Sequence, residues 1–146
     1  MLMPKKTKFR KTQRGRMKGL SKGARTVAFG DFGLVAAEPH WITSKQIESV
    51  RVTISRQLKK VGQLYLRMFP DKPISKKPAE TRMGKGKGNP EFWVSVVKRG
   101  RVIIELGGGL TELEAKAILR LAAYKLPLKT RFVTKADLVS AEDKSA

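Results

Sequence analysis

Glycine and lysine alternate at residues 84–88, inside the stretch RMGKGKG at residues 82–88. Backbone N–H groups beside glycine can bind phosphate oxygens, so a nucleotide-binding enzyme loop is the first chemistry to test. A P-loop has four residues between its glycines and then Lys followed by Ser or Thr, and the dinucleotide motif needs glycine where this chain has Asn89. Both motifs lead into a helix, whereas Asn89 and Pro90 lead into an apolar run typical of a strand. The spacing therefore predicts neither enzyme loop.

The same stretch lies in a longer segment, residues 70–91, that is predicted to be a basic loop. The segments on either side, residues 64–69 and 92–97, have the pattern of strands of one sheet, which argues against an interdomain linker. Glycine between cations removes Cβ atoms and lets the backbone approach phosphates closely, so we expect a basic finger that lies against nucleic acid. Its cations outnumber its acids: Lys72, Lys76, Lys77, Arg82, Lys85 and Lys87 against Asp71 and Glu80.

No other set of residues predicts catalysis. The chain has no cysteine and one histidine, His40, which excludes thiolate sites and multi-histidine metal sites. Residues 31–33 spell the DFG tripeptide of protein kinases, but only 30 residues precede it and the other kinase motifs are missing. Trp41 and Trp93 could stack on bases, although their apolar neighbours favour packing in or beside the core. We expect a protein that is not an enzyme and has no cofactor, metal or small-molecule substrate.

Net charge is the dominant property of the composition. Among 146 residues, 32 are Lys or Arg and 12 are Asp or Glu, which gives a net charge of +20. Such self-repulsion indicates a polyanionic partner, with nucleic acid the first choice and an anionic membrane surface the second. No apolar run approaches the roughly 20 residues of a membrane span, and the basic N-terminus lacks the apolar stretch of a secretory signal. A transit peptide would also be basic and poor in acids, but this segment is Gly-rich rather than Ser-rich and has no clear helical period. We therefore expect an intracellular protein.

The N-terminal segment is the most basic part of the chain. Its apolar residues are isolated, and the first carboxylate is Asp31. Like-charge blocks of this kind are usually disordered until a partner supplies the opposite charge. We therefore expect the arm, residues 1–26, to contact a polyanion through ten cations: Lys5, Lys6, Lys8, Arg10, Lys11, Arg14, Arg16, Lys18, Lys22 and Arg25.

Two helices are predicted after the arm, each with a capping box. The first begins at Thr43 with Gln46, has its apolar residues at Ile47, Val50, Ile54, Leu58 and Val61, and stops at Gly62. The second begins at Thr111 with Glu114 and ends before Pro127. Its apolar stripe is predicted at Leu113, Ala117, Leu121 and Tyr124, with Ala115, Ile118 and Ala122 beside it.

Strand patterns surround these helices. One bent strand or two short ones are predicted within residues 26–39, and further strands at residues 63–69 and 129–133. Residues 92–97 and 102–106 read as a hairpin turned at Gly100. The order predicts an α+β fold with two helices packed on a mostly antiparallel sheet. Its organisation would be a basic extension (1–26), a single α+β RNA-binding domain (27–135) containing the 70–91 loop, and a frayed C-terminal tail (136–146).

Several motifs resemble the bacterial large-subunit ribosomal protein L-sixteen family. They are KFRK with RGRMKG in the arm, VAFGDFGLVAAEPHWIT, MFPDKP, RMGKGKGNPEFWV and KLPLKT, and they span residues 1 to about 135. The resemblance implies an α+β protein of the large ribosomal subunit that binds large-subunit rRNA. It also implies a position near the A-site tRNA and the peptidyl-transferase region, with neighbouring ribosomal proteins as partners. The location would be a cytoplasmic ribosome or, alternatively, a plastid ribosome.

The resemblance also assigns roles to residues. The arm matches the family's rRNA-contacting extension, and Arg82 matches an arginine that some members hydroxylate. His40 stands where relatives are expected to have Ala or Arg, so no role is assigned to it. We expect the finger to face tRNA or rRNA through Lys76, Lys77, Arg82, Met83, Gly84, Lys85, Gly86, Lys87 and Gly88. In addition to the arm, four cations of the first predicted helix are expected to contact rRNA: Arg51, Arg56, Lys59 and Lys60.

One alternative belongs to another class of protein. The same charge would suit a free-standing architectural nucleic-acid-binding protein, because phosphate contacts carry no sequence information of their own. Co-sedimentation with large subunits, as opposed to association with chromatin, separates the two.

Overall fold

The structure is a computed structural model that describes residues 2–58, 61–77, 84 and 86–137. Residues 135–137, at the end of this part of the chain, are helical. The named elements follow in chain order: β1 (Phe32–Ala36), β2 (His40–Thr43), α1 (Ser44–Leu58), β3 (Gln63–Leu66), β4 (Lys72–Ser75), β5 (Pro90–Val97), β6 (Val102–Gly107), α2 (Glu112–Ala123) and β7 (Thr130–Thr134).

The strands form two antiparallel sheets. The larger has the order β3-β6-β1-β7 and the smaller the order β2-β5-β4. β6 is buried along its whole length, as expected for a central strand covered on both faces. β4 is an edge strand, which explains how it accommodates Pro73. The predicted α+β class and the antiparallel pairing are confirmed, although the single sheet of the prediction is in fact two.

α1 begins at its predicted capping box. The backbone N–H of Thr43 donates to Gln46 Oε1 at 2.9 Å, and the Gln46 N–H donates to Thr43 Oγ1 at 3.3 Å. The predicted apolar residues of the helix itself, Ile47 to Leu58, are buried. The predicted continuation of this stripe at Val61 is wrong, because Val61 lies beyond the helix and is 58% exposed.

α2 also begins at its predicted capping box, formed by Thr111 and Glu114. Its predicted stripe is wrong, because Leu113 is 82% exposed and Tyr124 is 69% exposed. The neighbouring stripe faces the core instead: Ala115, Ile118, Leu119 and Ala122. Because α2 has apolar residues on two adjacent stripes, its sequence alone does not show which stripe faces the core. Packing against the sheet decides between them.

The two helices share one core with both sheets. α1 and α2 pack against each other, α2 lies against β1 and β7, and α1 contacts β2, β3 and β5. The main cluster therefore combines residues of the larger sheet, such as Ile104, with residues of the smaller one, such as Ile42 and Val97. The opposite face of the larger sheet is covered by a second cluster in which Val27 packs on Val35, Val102 and Val133.

A buried carboxylate fixes the turn that leads into β1. Glu105 on β6 is fully buried, and it accepts hydrogen bonds from the backbone N–H groups of Ala28 and Phe29. Arg67 lies 3.7 Å from the same carboxylate. Gly30 is the next residue after Phe29, and its backbone lies close to the Leu106 carbonyl. A Cβ at this position would overlap that carbonyl, so glycine is needed here.

Two strand predictions are wrong. Residues 92–97 and 102–106 do not form a hairpin, since β5 pairs with β2 and β4 whereas β6 pairs with β1 and β3. The turn at Gly100, where φ is 90°, passes the chain from one sheet to the other. For the same reason residues 64–69 and 92–97 do not belong to one sheet. β2 and β4, both missed as strands, supply the rest of the smaller sheet.

Candidate nucleic-acid interface

The finger stands on a hairpin made by β4 and β5. Its base is closed by a hydrogen bond from the Lys76 N–H to the Asn89 carbonyl at 3.2 Å. Gly88 packs against this closure, and a Cβ there would lie 2.8 Å from the Lys76 carbonyl carbon. Gly84 and Gly86 have φ values of 105° and 92°, a conformation that favours glycine. Gly88 thus shapes the base of the hairpin, and Gly84 and Gly86 give the described part of the finger backbone conformations that favour glycine.

Some of the predicted finger residues lie outside the described part of the chain. They are Arg82, Met83 and Lys85. The predicted helix cations Lys59 and Lys60 also lie outside the described part. Modification of Arg82 stays a prediction. The finger residues that the structure does place are Lys76, Lys77, Gly84, Gly86, Lys87 and Gly88.

The arm crosses the finger's hairpin and is bonded to it. Lys11 Nζ donates to the Lys87 carbonyl at 2.8 Å, and Lys87 Nζ donates to the Thr12 carbonyl. Lys72 Nζ on β4 donates to the Arg14 carbonyl in the same way. The basic arm and the basic finger, which are far apart in sequence, therefore meet in space.

Further along, the arm is attached to the edge of the fold through its backbone. Leu20 forms a parallel bridge with Arg99, and the Ser21 N–H donates to the Arg99 carbonyl at 2.9 Å. The Ala24 carbonyl accepts from the Val102 N–H at 2.6 Å. Residues 20–26 thus hold the more basic residues 5–18 beside the smaller sheet.

The cations of the arm are directed outward. All ten predicted arm cations are exposed except Lys11, which is half-buried. Within the described residues the ion pairs are Arg51–Glu48 and Arg67–Glu105, and neither includes a cation of the arm or the finger. Unneutralised charge that the fold leaves at the surface is the electrostatic signature of a polyanion site.

The α1 cations differ from one another. Arg51 is exposed but hydrogen-bonded to Glu48, and this bond lowers the pKa of the Glu48 carboxyl and raises the pKa of the Arg51 guanidinium. Arg56 is exposed and has no ion pair among the described residues. Arg51 therefore has less charge to offer a polyanion than Arg56.

The centre of this surface is Trp41, for which the sequence favoured packing in or beside the core and which is half-buried in the structure. Arg14 Cζ lies 5.7 Å and Lys72 Nζ 5.1 Å from the centroid of its ring. Burial, followed by repulsion from Lys87 and Arg14, lowers the pKa of the Lys72 ammonium. The Trp-Ile pattern at the entry to α1 gives no signal for this contact, because the contact depends on where the arm crosses.

Metal-binding clusters and membrane-spanning helices are both absent from the described part of the chain. Residues 2–58, 61–77, 84 and 86–137 contain no group of three or more His, Cys, Asp or Glu side chains placed to hold a metal ion. Over the same ranges, none of the helices has the length and apolar character needed to cross a membrane.

Comparison with known families identifies this architecture. Residues 4–133 match the family described as ribosomal protein L16p/L10e, which spans the arm, both sheets and both helices. The chain belongs to the L16p/L10e family of ribosomal proteins. It is accordingly a structural constituent of the large ribosomal subunit, not an enzyme, and works as part of a ribonucleoprotein in translation. L16p/L10e membership places it on cytoplasmic ribosomes, with rRNA and ribosomal proteins as partners.

Proposed function

We propose that this L16p/L10e protein binds large-subunit rRNA through its arm and the α1 cations, and that its finger contacts or positions the A-site tRNA near the peptidyl-transferase region. The observation that carries the proposal is the meeting of arm and finger. The bonds of Lys11, Lys72 and Lys87 gather two basic segments at one hairpin, and no carboxylate pairs with them among the described residues.

The mechanism is phosphate neutralisation. Each lysine or arginine that meets a phosphate releases condensed counterions, so affinity falls as salt rises. The arm would supply most of these contacts, because nine of its ten cations are exposed and none has an ion pair among the described residues. The finger would add a close contact, because its glycines allow the backbone to approach the sugar-phosphate chain without side-chain hindrance.

Co-sedimentation with large subunits tests the rRNA part of the proposal. One variant carries Lys5→Gln, Lys6→Gln, Lys8→Gln and Arg10→Gln in the arm. Its matched control removes four exposed cations elsewhere, with Lys116→Gln, Lys125→Gln, Lys129→Gln and Lys135→Gln. At moderate salt we expect the arm variant to leave the subunit fraction while the control stays. Equal loss by both, or association of the unchanged chain with chromatin, would contradict a specific rRNA-binding arm.

The tRNA part needs a separate readout. Subunits assembled with Lys85→Ala and Lys87→Ala protein are expected to retain the protein but to bind A-site tRNA more weakly than unchanged subunits. P-site tRNA binding is the internal control. If subunits that contain a full complement of the variant protein bind A-site tRNA as well as unchanged subunits do, the proposed tRNA contact of the finger is contradicted. The proposed rRNA role would not be affected.

A further inference from the structure

The crossing of arm and hairpin creates a cleft that the family assignment does not explain. The arm cleft is lined by Thr12 and Arg14 of the arm, Trp41 of β2, Lys72 and Ser75 of β4, and Lys87 of the finger. Its volume is about 290 Å³, near the lower end of the roughly 300–1,000 Å³ typical of small-ligand sites.

Sheet geometry brings the aromatic ring and the first lysine to this cleft. Trp41 pairs with Val96, and Lys72 pairs with Val94, on the shared central strand β5. Residues two apart on a strand point to the same face, so Trp41 and Lys72 lie on one face of the smaller sheet. The arm then crosses that face and adds Arg14 above the ring.

The charges in the cleft have one sign. Arg14, Lys72 and Lys87 line it, and none of the lining residues that the structure describes is acidic. Both lysine ammonium groups donate to arm carbonyls, which are neutral acceptors. An anion would form stronger, charge-assisted bonds with the same groups and would relieve their mutual repulsion.

Two donors beside the cations also lack partners. Trp41 Nε1 and Ser75 Oγ are buried and have no hydrogen-bond partner among the residues that the structure describes. Such groups usually have one, and here both belong to residues that line the cleft. A ligand for this set must be anionic and must carry several acceptor oxygens. The Trp41 ring is already contacted by two cations, so its N–H, and not its face, remains for the ligand.

We propose that the arm cleft binds one phosphate group, which links the arm to the β4–β5 hairpin. A phosphate has the charge and the tetrahedrally arranged acceptor oxygens that three cations and two neutral donors require. The source of the phosphate is either the RNA backbone, in which case the inference depends on the proposed rRNA role, or free inorganic phosphate. The bound phosphate would hold the arm and the finger in one arrangement.

The two tryptophans provide the measurement. In the full-length ¹⁵N-labelled chain, the indole N–H signal of Trp41 reports on the cleft. Trp93 lies one residue from Val94 on β5 and so faces the other side of the sheet, which makes its signal an internal control. Trp93→Phe assigns the two signals. The chain is titrated with inorganic phosphate and, separately, with a short single-stranded RNA, with chloride adjusted to keep ionic strength constant.

We expect a saturable shift of the Trp41 signal and a steady Trp93 signal. The double change Lys72→Met and Lys87→Met should weaken this response about tenfold or more, since it removes two charged hydrogen-bond donors. The matched control, Lys116→Met with Lys125→Met, removes equal charge from exposed residues outside the arm and the finger and should leave the response unchanged. Circular dichroism confirms that each variant is folded.

Every outcome of the titration decides the proposal. Saturation by both ligands supports a general phosphate site, and saturation by RNA alone assigns the phosphate to a phosphodiester. A linear drift of the Trp41 signal, or equal loss in both double variants, shows only a diffuse ion atmosphere and overturns the site. The proposed rRNA role is tested by a different experiment: it would be contradicted if the arm variant co-sedimented with large subunits as well as the unchanged chain does.

Discussion

The two sheets place charged groups in opposite ways. In the larger sheet, the buried Glu105 carboxylate accepts backbone N–H groups from Ala28 and Phe29 and lies beside Arg67. At the smaller sheet, Lys72 of β4 and Lys87 of the adjoining finger donate to backbone carbonyls of the arm. The first arrangement contains both signs of charge within the fold, whereas the second, among the described residues, pairs cations with neutral acceptors.

This difference indicates that the buried Glu105 site contributes to stability, whereas the cations at the smaller sheet are available to bind a partner. The buried Glu105 carboxylate fixes the turn before β1, and its bonds to the backbone and to Arg67 leave it unavailable to a binding partner. Cations bonded to carbonyls keep their full charge, so they hold the arm loosely in place and still attract an anion. We therefore expect changes in the larger sheet to lower the free energy of unfolding, and changes around the smaller sheet to lower RNA affinity.

The largest effect is expected from removing the front of the arm. Deleting residues 1–19 removes eight cations but keeps Ser21, Ala24 and Thr26, whose backbone groups bond to the fold. RNA affinity at low salt should fall about a hundredfold or more, and the slope of log affinity against log salt should fall by up to about 0.7 for each phosphate that is no longer neutralised. Filter binding at several salt concentrations measures both. Loss of the folded circular dichroism spectrum would show instead that the arm is needed for folding.

Replacing the buried carboxylate should act on stability alone. Glu105→Leu leaves the Ala28 and Phe29 N–H groups and Arg67 without their acceptor, and should lower the free energy of unfolding by about 3 kcal/mol. Urea denaturation measures this loss. Glu48→Gln, which breaks the exposed pair with Arg51, is the control and should leave the urea midpoint unchanged. Equal midpoints for both variants would contradict the stabilising role of the buried Glu105 carboxylate.

A single methyl group tests the close approach beside Glu105. Gly30→Ala places a Cβ against the Leu106 carbonyl and should lower the free energy of unfolding by about 2 kcal/mol. Gly23→Ala is the matched control, because a Cβ there meets nothing within 4 Å and its φ is not in the left-handed region. Thermal denaturation compares the two, and a Gly30→Ala midpoint at or above that of Gly23→Ala would contradict the packing described.

A smaller effect on binding is expected at the finger. Lys76→Ala combined with Lys87→Ala should reduce the salt slope by about 0.7 for each phosphate that these lysines neutralise in the unchanged chain. Stability should change little, since both side chains are exposed. A salt slope equal to that of the unchanged chain would show that these lysines do not contact phosphate.

The smallest effect distinguishes two arginines of α1. Arg56→Ala should weaken RNA binding a few-fold, whereas Arg51→Ala should weaken it less, because Arg51 is already bonded to Glu48. Parallel binding curves at one salt concentration suffice. A larger loss of affinity for Arg51→Ala would mean that the Glu48 bond is exchanged for RNA in the complex.

Much of the larger sheet and both helix starts could be predicted from sequence. The capping boxes at Thr43 and Thr111 are local patterns, and so is the helical period from Ile47 to Leu58. Composition and spacing also argue against the enzyme loops that residues 82–88 resemble, and the contact of this finger with nucleic acid stays a prediction.

The smaller sheet could not be predicted in the same way. β2 has four residues and adjoins the α1 cap, and β4 contains Pro73, which argues against a strand unless the strand is known to lie at an edge. Without these two strands, the sequence pattern pairs β5 with β6, its neighbour along the chain. The arm cleft depends on contacts between residues that are far apart in the sequence, such as Arg14 and Lys72. A local sequence pattern does not show which distant residues come into contact.

Hydrogen–deuterium exchange of the full-length chain, with and without large-subunit rRNA, tests the central claim most directly. We predict that rRNA slows exchange in the arm and in the β4–β5 hairpin, and leaves the amides of α2 unchanged. Protection confined to α2, or no protection of the arm at rRNA saturation, would contradict an interface built where the arm meets the finger.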